Sequence, residues 1–295
     1  MYKKFFYIVF FLCAYMCFSI NYKVEASTKV KGIENFPDSY KPYLYELKNR
    51  YPNWEFTALY TGIDWNTAVS NEYANDKNLV PKSYSDNWKC TENGKYDVEI
   101  DSGWVNASKQ AIEYTMDPRN FLNEVRIFQF ERLTYDENTN SEDGVEKILY
   151  GTEFYKNNVS YKDSNGNVIN TLVTYAKLIM NAGIYSGVSP YHLAARIKQE
   201  VGPFVTHKSI SGDVAGYEGL YNFYNIGATS STESLGAIKN GLQYAKNGKG
   251  DLSSKEMENQ LIPWNTPERA ITGGGVFIGS SYILVRTKLF IFTKV

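Results

Sequence analysis

The chain is predicted to be α+β and mostly helical, with a small β-hairpin beside one short, acid-bearing helix. Three observations predict this class. Apolar residues recur at helical spacing in separate stretches over 39–51, 105–128, 171–184 and 189–201. WEFTALY at 54–60 sets Trp54, Phe56 and Tyr60 among polar residues and reads as a strand or extended edge. A Gly-rich segment after the helix over 189–201 reads as a loop or hairpin carrying further carboxylates. At 295 residues the chain can form one large or two modest domains.

Residues 1–26 read as a secretory signal peptide. Lys3 and Lys4 form a basic start, Phe5 to Ile20 an apolar run, and Val24-Glu25-Ala26 a small-residue cleavage site before Ser27. An uncleaved anchor is the rival reading, since the run is near the lower limit for spanning a bilayer. No later apolar run is long enough to span. Cleavage would remove three lysines and one glutamate and take the formal charge from -1 to -3. With charges of both signs interspersed and no basic stripe, nucleic acid is not an expected partner. Cys13 and Cys17 lie in the leading segment without a lipoprotein context, so only Cys90 would remain and no intrachain disulfide could form. Cys90 has no His or second Cys beside it and is read as incidental, neither nucleophile nor metal ligand.

Residues 27–38 are a polar lead-in. Ser39 to Arg50 is predicted helical, with Tyr43, Leu44, Leu47 and Tyr51 on one face and Pro52 as its stop. Asp64 can cap a short helix through Glu72. The polar stretch 73–103 is longer than compact domains usually tolerate as loop, and a boundary is placed there: an N-terminal extension over 27–104, packing on a core domain over 105–295. From Val105 the helical pattern returns through Ala107, Ala111, Ile112 and Tyr114. Asp117-Pro118 restarts a helix whose buried face is Phe121, Leu122, Val125 and Phe128. Val145, Ile148 and Leu149 mark a short helix, Ser164 to Asn167 a turn, and Thr171 to Ile184 a strong helix with Leu172, Tyr175, Ala176, Ile179 and Met180 apolar. A last helix is expected near Leu235–Lys246, before a stretch with Trp264, Pro267 and Gly273-Gly274-Gly275.

The stretch SPYHLAARIKQEVGPFVTHKSISGDVAGYEGLYNFYNIG, from Ser189 to Gly227, organises the rest. Ser189 and Pro190 start a helix as N-cap and N1 proline. Leu193, Ala194 and Ile197 give it a buried face, and Val201-Gly202-Pro203 stops it just after Glu200. A carboxylate in the last turn meets the negative end of the helix dipole. That placement tends to raise its pKa, as a general acid near neutral pH requires.

YHLAARIKQEVG followed by SGDVAGYEGLYNFYNIGA resembles the catalytic core of bacterial endo-β-N-acetylglucosaminidases that cut peptidoglycan, glycoside hydrolase family 73. The likeness is strongest over about residues 105–281 and extends upstream through FPDSYKPYLYELKNRYPNWEF and GIDW. It implies a lysozyme-like fold with a cleft between two lobes, and it puts the catalytic acid at Glu200. It also implies a cell-wall location in a Gram-positive bacterium, peptidoglycan glycan strands as partner, and no cofactor or metal; a monomer is expected. From about Leu284 the resemblance stops. Members continue there with a Gly-Gln pair and an aromatic strand, whereas this chain reads LVRTKLFIFTKV, in which Leu289 to Phe292 has high β-propensity. That departure puts the cleft wall near Tyr282 in question.

The second catalytic group stays open. Glu218, in the Gly216-Tyr217-Glu218-Gly219 turn, is the favoured assistant, with Asp213 as competitor. The substrate's own 2-acetamido group is a third option, which needs no second carboxylate. Tyr224 and Asn225, in NFYNI, look like the family's aromatic-Asn motif and are expected to bind substrate. Tyr217 and Tyr221 could line the cleft, and Tyr282 roughly matches a tyrosine the family sets opposite the acid. His192 and His207 lack the partners of a zinc site or a Ser-His-Asp triad and are read as structural. The expected function is cleavage of the GlcNAc-β-1,4-MurNAc bond. A lytic transglycosylase or muramidase on the same glycan, or a non-catalytic wall-binding protein, are the alternatives. No LysM-like or SH3-like anchoring module is found.

Overall fold

The computed structural model describes residues 28–74, 78–91, 99–101, 103–250 and 252–283. The expected signal segment, with Cys13 and Cys17, and the divergent stretch from Leu284 lie outside them. No helix among the described residues is long and apolar enough to cross a membrane. The architecture is α+β and mostly helical, as predicted. The contacts divide it into two compact units, one up to Phe130 and one beginning at Glu131. The sequence boundary at 104/105 thus lies inside the first unit.

In the first unit, β1 (Thr28–Lys31) pairs antiparallel with β2 (Thr57–Tyr60), in register from Thr28 opposite Tyr60 to Lys31 opposite Thr57. Between them lies α1 (Lys41–Arg50), which buries Leu44 and Leu47. Tyr43, expected on that buried face, is instead 45% exposed. Asp64 caps α2 (Trp65–Ala74), accepting the Thr67 N–H at 3.0 Å. The polar stretch 73–103 contains β3 (Leu79–Pro81) and β4 (Glu99–Asp101), which flank β5 (Trp104–Asn106) in a three-stranded antiparallel sheet. Cys90 is buried there, 3.4 Å from the Tyr73 hydroxyl. Ser108 then caps α3 (Lys109–Met116), so the helix predicted from Val105 starts only after β5.

The helix predicted over 117–128 does not form. Asp117 accepts the Arg119 N–H and opens a single 3-10 turn, Pro118–Phe121. The Asn123 side chain then accepts the N–H groups of Val125 and Arg126, offering the backbone an alternative to helix. A second 3-10 turn follows at Arg126–Phe130. Val125 and Phe128, expected to be buried, are 73% and 56% exposed.

The second unit is built on α4 (Glu142–Leu149), α5 (Tyr175–Ser186), α6 (Pro190–Val201), α7 (Gly236–Asn247), α8 (Ser254–Asn259) and α9 (Pro267–Ile278). Its core gathers Val145, Leu149, Phe154, Ile179, Leu193, Ile197, Trp264 and Ile271. The β-hairpin is not at 211–227 but at β6 (Asn158–Lys162) and β7 (Val168–Thr174). Val168, Ile169, Thr171, Val173 and Thr174 favour strand, because branching at Cβ suits a pleated surface better than a helix. Asp163 makes the turn, its carboxylate accepting the N–H groups of Asn165 at 2.9 Å and Asn167 at 2.8 Å. Segment 211–227 holds no strand; Gly212, Gly216, Gly219 and Gly227 all adopt positive φ and break it into turns. The helix predicted from Thr171 therefore begins at Tyr175, capped by the Thr174 hydroxyl, and Leu172 is 95% exposed on the strand.

Gly273-Gly274-Gly275 falls in the middle of α9, each glycine costing about 1 kcal/mol against Ala in a helix. Close approach offsets the cost. A Cβ on Gly273 would lie 2.0 Å from the Gln260 carbonyl oxygen, and one on Gly274 would lie 2.3 Å from Tyr224 Cδ2. At Gly275 the nearest atom, Ser186 Oγ, would be 3.2 Å away. Gly274→Ala and Gly273→Ala should each destabilise by about 1–3 kcal/mol of overpacking despite better helix propensity. Gly275→Ala should be near neutral. Thermal unfolding of the three variants checks this, and equal midpoints for Gly274→Ala and Gly275→Ala would contradict the close-approach account.

Candidate active site

α6 carries the candidate acid. It buries Leu193, Ala194, Ile197 and Val201 against the core and starts at Pro190 as predicted. Ser189 does not cap it: its hydroxyl is buried without a hydrogen-bond partner, while its N–H donates to the Leu133 carbonyl at 2.7 Å. Lys198 leans from α6 onto the end of α4, donating to the carbonyls of Ile148 at 2.8 Å and Tyr150 at 3.2 Å.

Glu200 sits in the last turn with its side chain 27% exposed. Arg196 Nη2 lies 3.2 Å from Glu200 Oε1, one turn back on the helix. Both placements are poor for helix stability. The anion is at the wrong end of the dipole, and Arg before Glu is the weaker order of an i,i+4 pair. Asn225 reaches the residue from the opposite side. Its Nδ2 donates to the Glu200 carbonyl at 2.8 Å and comes within 3.5 Å of Oε2. Helix and turn, far apart in sequence, thus meet at one carboxylate.

Tyr224 does not face that site. It is 2% exposed, packed against Gly274, and its hydroxyl donates to the Ile271 carbonyl at 3.2 Å. A tyrosine so enclosed cannot stack on a sugar, and burial pushes its hydroxyl pKa well up. Tyr221 is also buried; its hydroxyl bonds to the Lys162 main chain at the end of β6, and burial raises its pKa to about 12. Tyr217 packs beside Val214, Leu220 and Leu242 and donates to Gln243 Oε1 at 3.2 Å. Tyr282 is 53% exposed in a single π-helical turn, Gly279–Ile283, edge-on to Phe277.

The other carboxylates have separate environments. Glu218 is exposed and accepts the Gly216 N–H at 3.0 Å. Main-chain hydrogen bonds, its own and that of Gly216, lower its pKa, so this side chain is held as an anion. Asp213 accepts from the Ser211 hydroxyl and lies 3.2 Å from Lys208 Nζ and 3.4 Å from Lys162 Nζ. The Ser211 hydrogen bond first, then those from the two lysines, bring its pKa down to about 2. Among the described residues, no hydrogen bond or ion pair joins either carboxylate to Glu200. Burial, and then Arg196, lowers the pKa of His192; burial lowers that of His207, whose Nδ1 lies 2.9 Å from Ser209 Oγ. No group of three His, Cys, Asp or Glu among the described residues could hold a metal.

Of the residues expected at the site, then, the structure joins Glu200 and Asn225. It adds Arg196, which sequence reasoning passed over although its i,i+4 spacing to Glu200 was readable.

No protein-family profile matches the chain. Over 187 residues, 63% of its length, the chain is 26% identical to the beta-N-acetylglucosaminidase of Bacillus subtilis (strain 168). It spans only 17% of that relative. Among solved structures it aligns with a major bifunctional autolysin at 19% identity and a TM-score of 0.43, over 77% of this chain and 74% of the other.

Asp213 supplies a test of the electrostatics. Its folded pKa is below its ordinary 3.8, so the Ser211 hydrogen bond, and after it the two lysines, stabilise the fold above that pH and lose their effect as pH falls towards 2. Asp213→Asn should therefore be less stable than the parent at pH 6, with the gap closing between about pH 4 and 2. Salt should narrow the gap, because the lysines are partly exposed. Urea unfolding across pH would expose the account as wrong if the gap stayed constant.

Proposed function

We propose that this chain is an exported peptidoglycan hydrolase, an endo-β-N-acetylglucosaminidase that cuts the GlcNAc-β-1,4-MurNAc bond, with Glu200 as general acid. The observation that carries the reading is the meeting of Glu200 with Asn225. The two halves of the motif that resembles wall glucosaminidases converge on one partly exposed carboxylate. The likeness to the Bacillus glucosaminidase supports the same reaction class. Export to the wall rests on the signal-like segment 1–26.

The chemistry runs as follows. Protonated Glu200 gives its hydrogen to the oxygen linking the two sugars. The C1–O bond breaks with the electron pair going to that oxygen, and positive charge develops on C1 and the ring oxygen. Water, or first the substrate's acetamido oxygen, adds to C1. The end product is a new reducing GlcNAc end, and a proton from water returns to Glu200. Arg196 must leave Glu200 before the proton transfer. A part-exposed pair of this kind is worth about 0–1 kcal/mol, so substrate can displace it cheaply. Glu218, held as an anion by main-chain N–H groups, suits a charge-stabilising role or the role of base for water, not that of a second proton donor.

Purified walls digested with the mature chain should lose turbidity and yield fragments with reducing GlcNAc ends. Glu200→Gln should slow release by at least ~10²-fold. Reducing MurNAc ends would make the protein a muramidase, and anhydro-MurNAc ends a transglycosylase. Wall binding without lysis, unchanged by Glu200→Gln, would end the enzyme assignment.

A further inference from the structure

The geometry points to Asn225 as a positioning residue that acts on the acid and not on the sugar, an inference that rests on the glycosidase reading above. Asn225 has φ +50°, the left-handed region where glycine fits without strain. Asn tolerates that region better than most side chains, and here its amide has visible partners. The Glu200 carbonyl is among the last of α6 and has no later helical N–H to accept from. One amide of Asn225 satisfies it at 2.8 Å and turns its second hydrogen towards Oε2 at 3.5 Å. Main chain and side chain of the acid are tied to one point.

That point is rigid. Asn222, fully buried, donates to the carbonyls of Ile226 and Gly241, each at 2.8 Å, and accepts the Ile226 N–H at 3.1 Å. Tyr224 is bolted into the core through the Ile271 carbonyl. The Ala228 N–H closes the turn on the Asn225 carbonyl at 3.0 Å. The turn presents the amide as a fixed bracket, whereas a glutamate side chain alone has three rotatable bonds.

The two neighbours of Glu200 differ in a way that matters to a proton donor. Arg196 is charged and pairs only with the ionised acid. The amide is neutral and can donate to Oε2 whether or not the other oxygen carries a proton. Asn225 therefore holds the carboxyl through both protonation states and reserves Oε2 as an acceptor. Oε1, on the Arg196 side, is left to carry the transferable hydrogen and release it to the leaving oxygen.

Asn225→Gly keeps the left-handed turn and removes the amide. Steady-state cleavage of soluble glycan fragments should show kcat down roughly 100-fold, the cost of a loosely aimed group. KM should stay within about twofold, and the thermal midpoint should move little. Asn225→Asp, which replaces the donors with a second anion, should be at least as slow. The double variant Asn225→Gly with Glu200→Gln should be no slower than Glu200→Gln alone, because a residue acting through Glu200 has nothing left to act on. A raised KM with unchanged kcat would mean that Asn225 binds sugar, and would overturn the proposal. So would wild-type kcat in Asn225→Gly, or a loss fully explained by unfolding. If the unaltered chain itself releases no fragments, the glycosidase reading falls and this proposal with it.

Discussion

The absence of a side chain at Gly274 is the constraint on which the site depends. It lets the Tyr224 ring lie flush against the α9 backbone, where any Cβ would overlap it. With Tyr224 seated there, the turn from Asn222 to Ile226 is fixed, and Asn225 emerges opposite Glu200. Three glycines inside a helix look like a defect when α9 is considered alone. In the assembled unit Gly273 lets α9 approach Gln260 and Trp264, and Gly274 lets it approach Tyr224, more closely than any other residue would permit. Backbone propensity is given up locally for a contact that sets the position of a carboxylate on another helix.

Charge is arranged with similar economy. Asp213, Glu218 and Glu200 all come from the stretch between Ser189 and Gly227, yet each has a different kind of partner. Asp213 has a hydroxyl and two lysines, Glu218 has main-chain N–H groups, and Glu200 has a cation on one oxygen and a neutral amide near the other. The first two arrangements favour a permanent anion. Only the third sets a side-chain amide opposite a guanidinium on the same carboxyl group.

Much of this was legible in the residues, because the signals were local. Pro190 starts α6 and Gly202 ends it, Asp64 caps α2, and the periodic apolar positions of α6, with Val145 and Leu149 of α4, are buried where expected, Ile148 being half-buried. The errors have a common cause. The glycines of 211–227 suggested a hairpin, but the strands lie where β-branched residues cluster, at 168–174, and helical periodicity through Leu172 was read across that strand. Over 117–128 the apolar spacing was right for a helix, but Asn123 diverts the backbone bonds that a helix needs. Tyr224 could not be assigned from its own neighbourhood. An aromatic in a turn can face either a cleft or the core, and the deciding feature is the glycine run some fifty residues later. The NFYNI segment pointed to Asn225, and the structure sets that side chain beside Glu200; what its amide faces is a tertiary fact.

The enclosed sulfur of Cys90 has a use in the laboratory. It is the one cysteine in either compact unit outside the leading segment, it belongs to the first unit, and it is 2% exposed beside Tyr73. A thiol-specific reagent can modify it only as fast as that unit opens. The second unit offers no sulfhydryl at all, so alkylation kinetics would time the breathing of one half of the molecule with the other half silent.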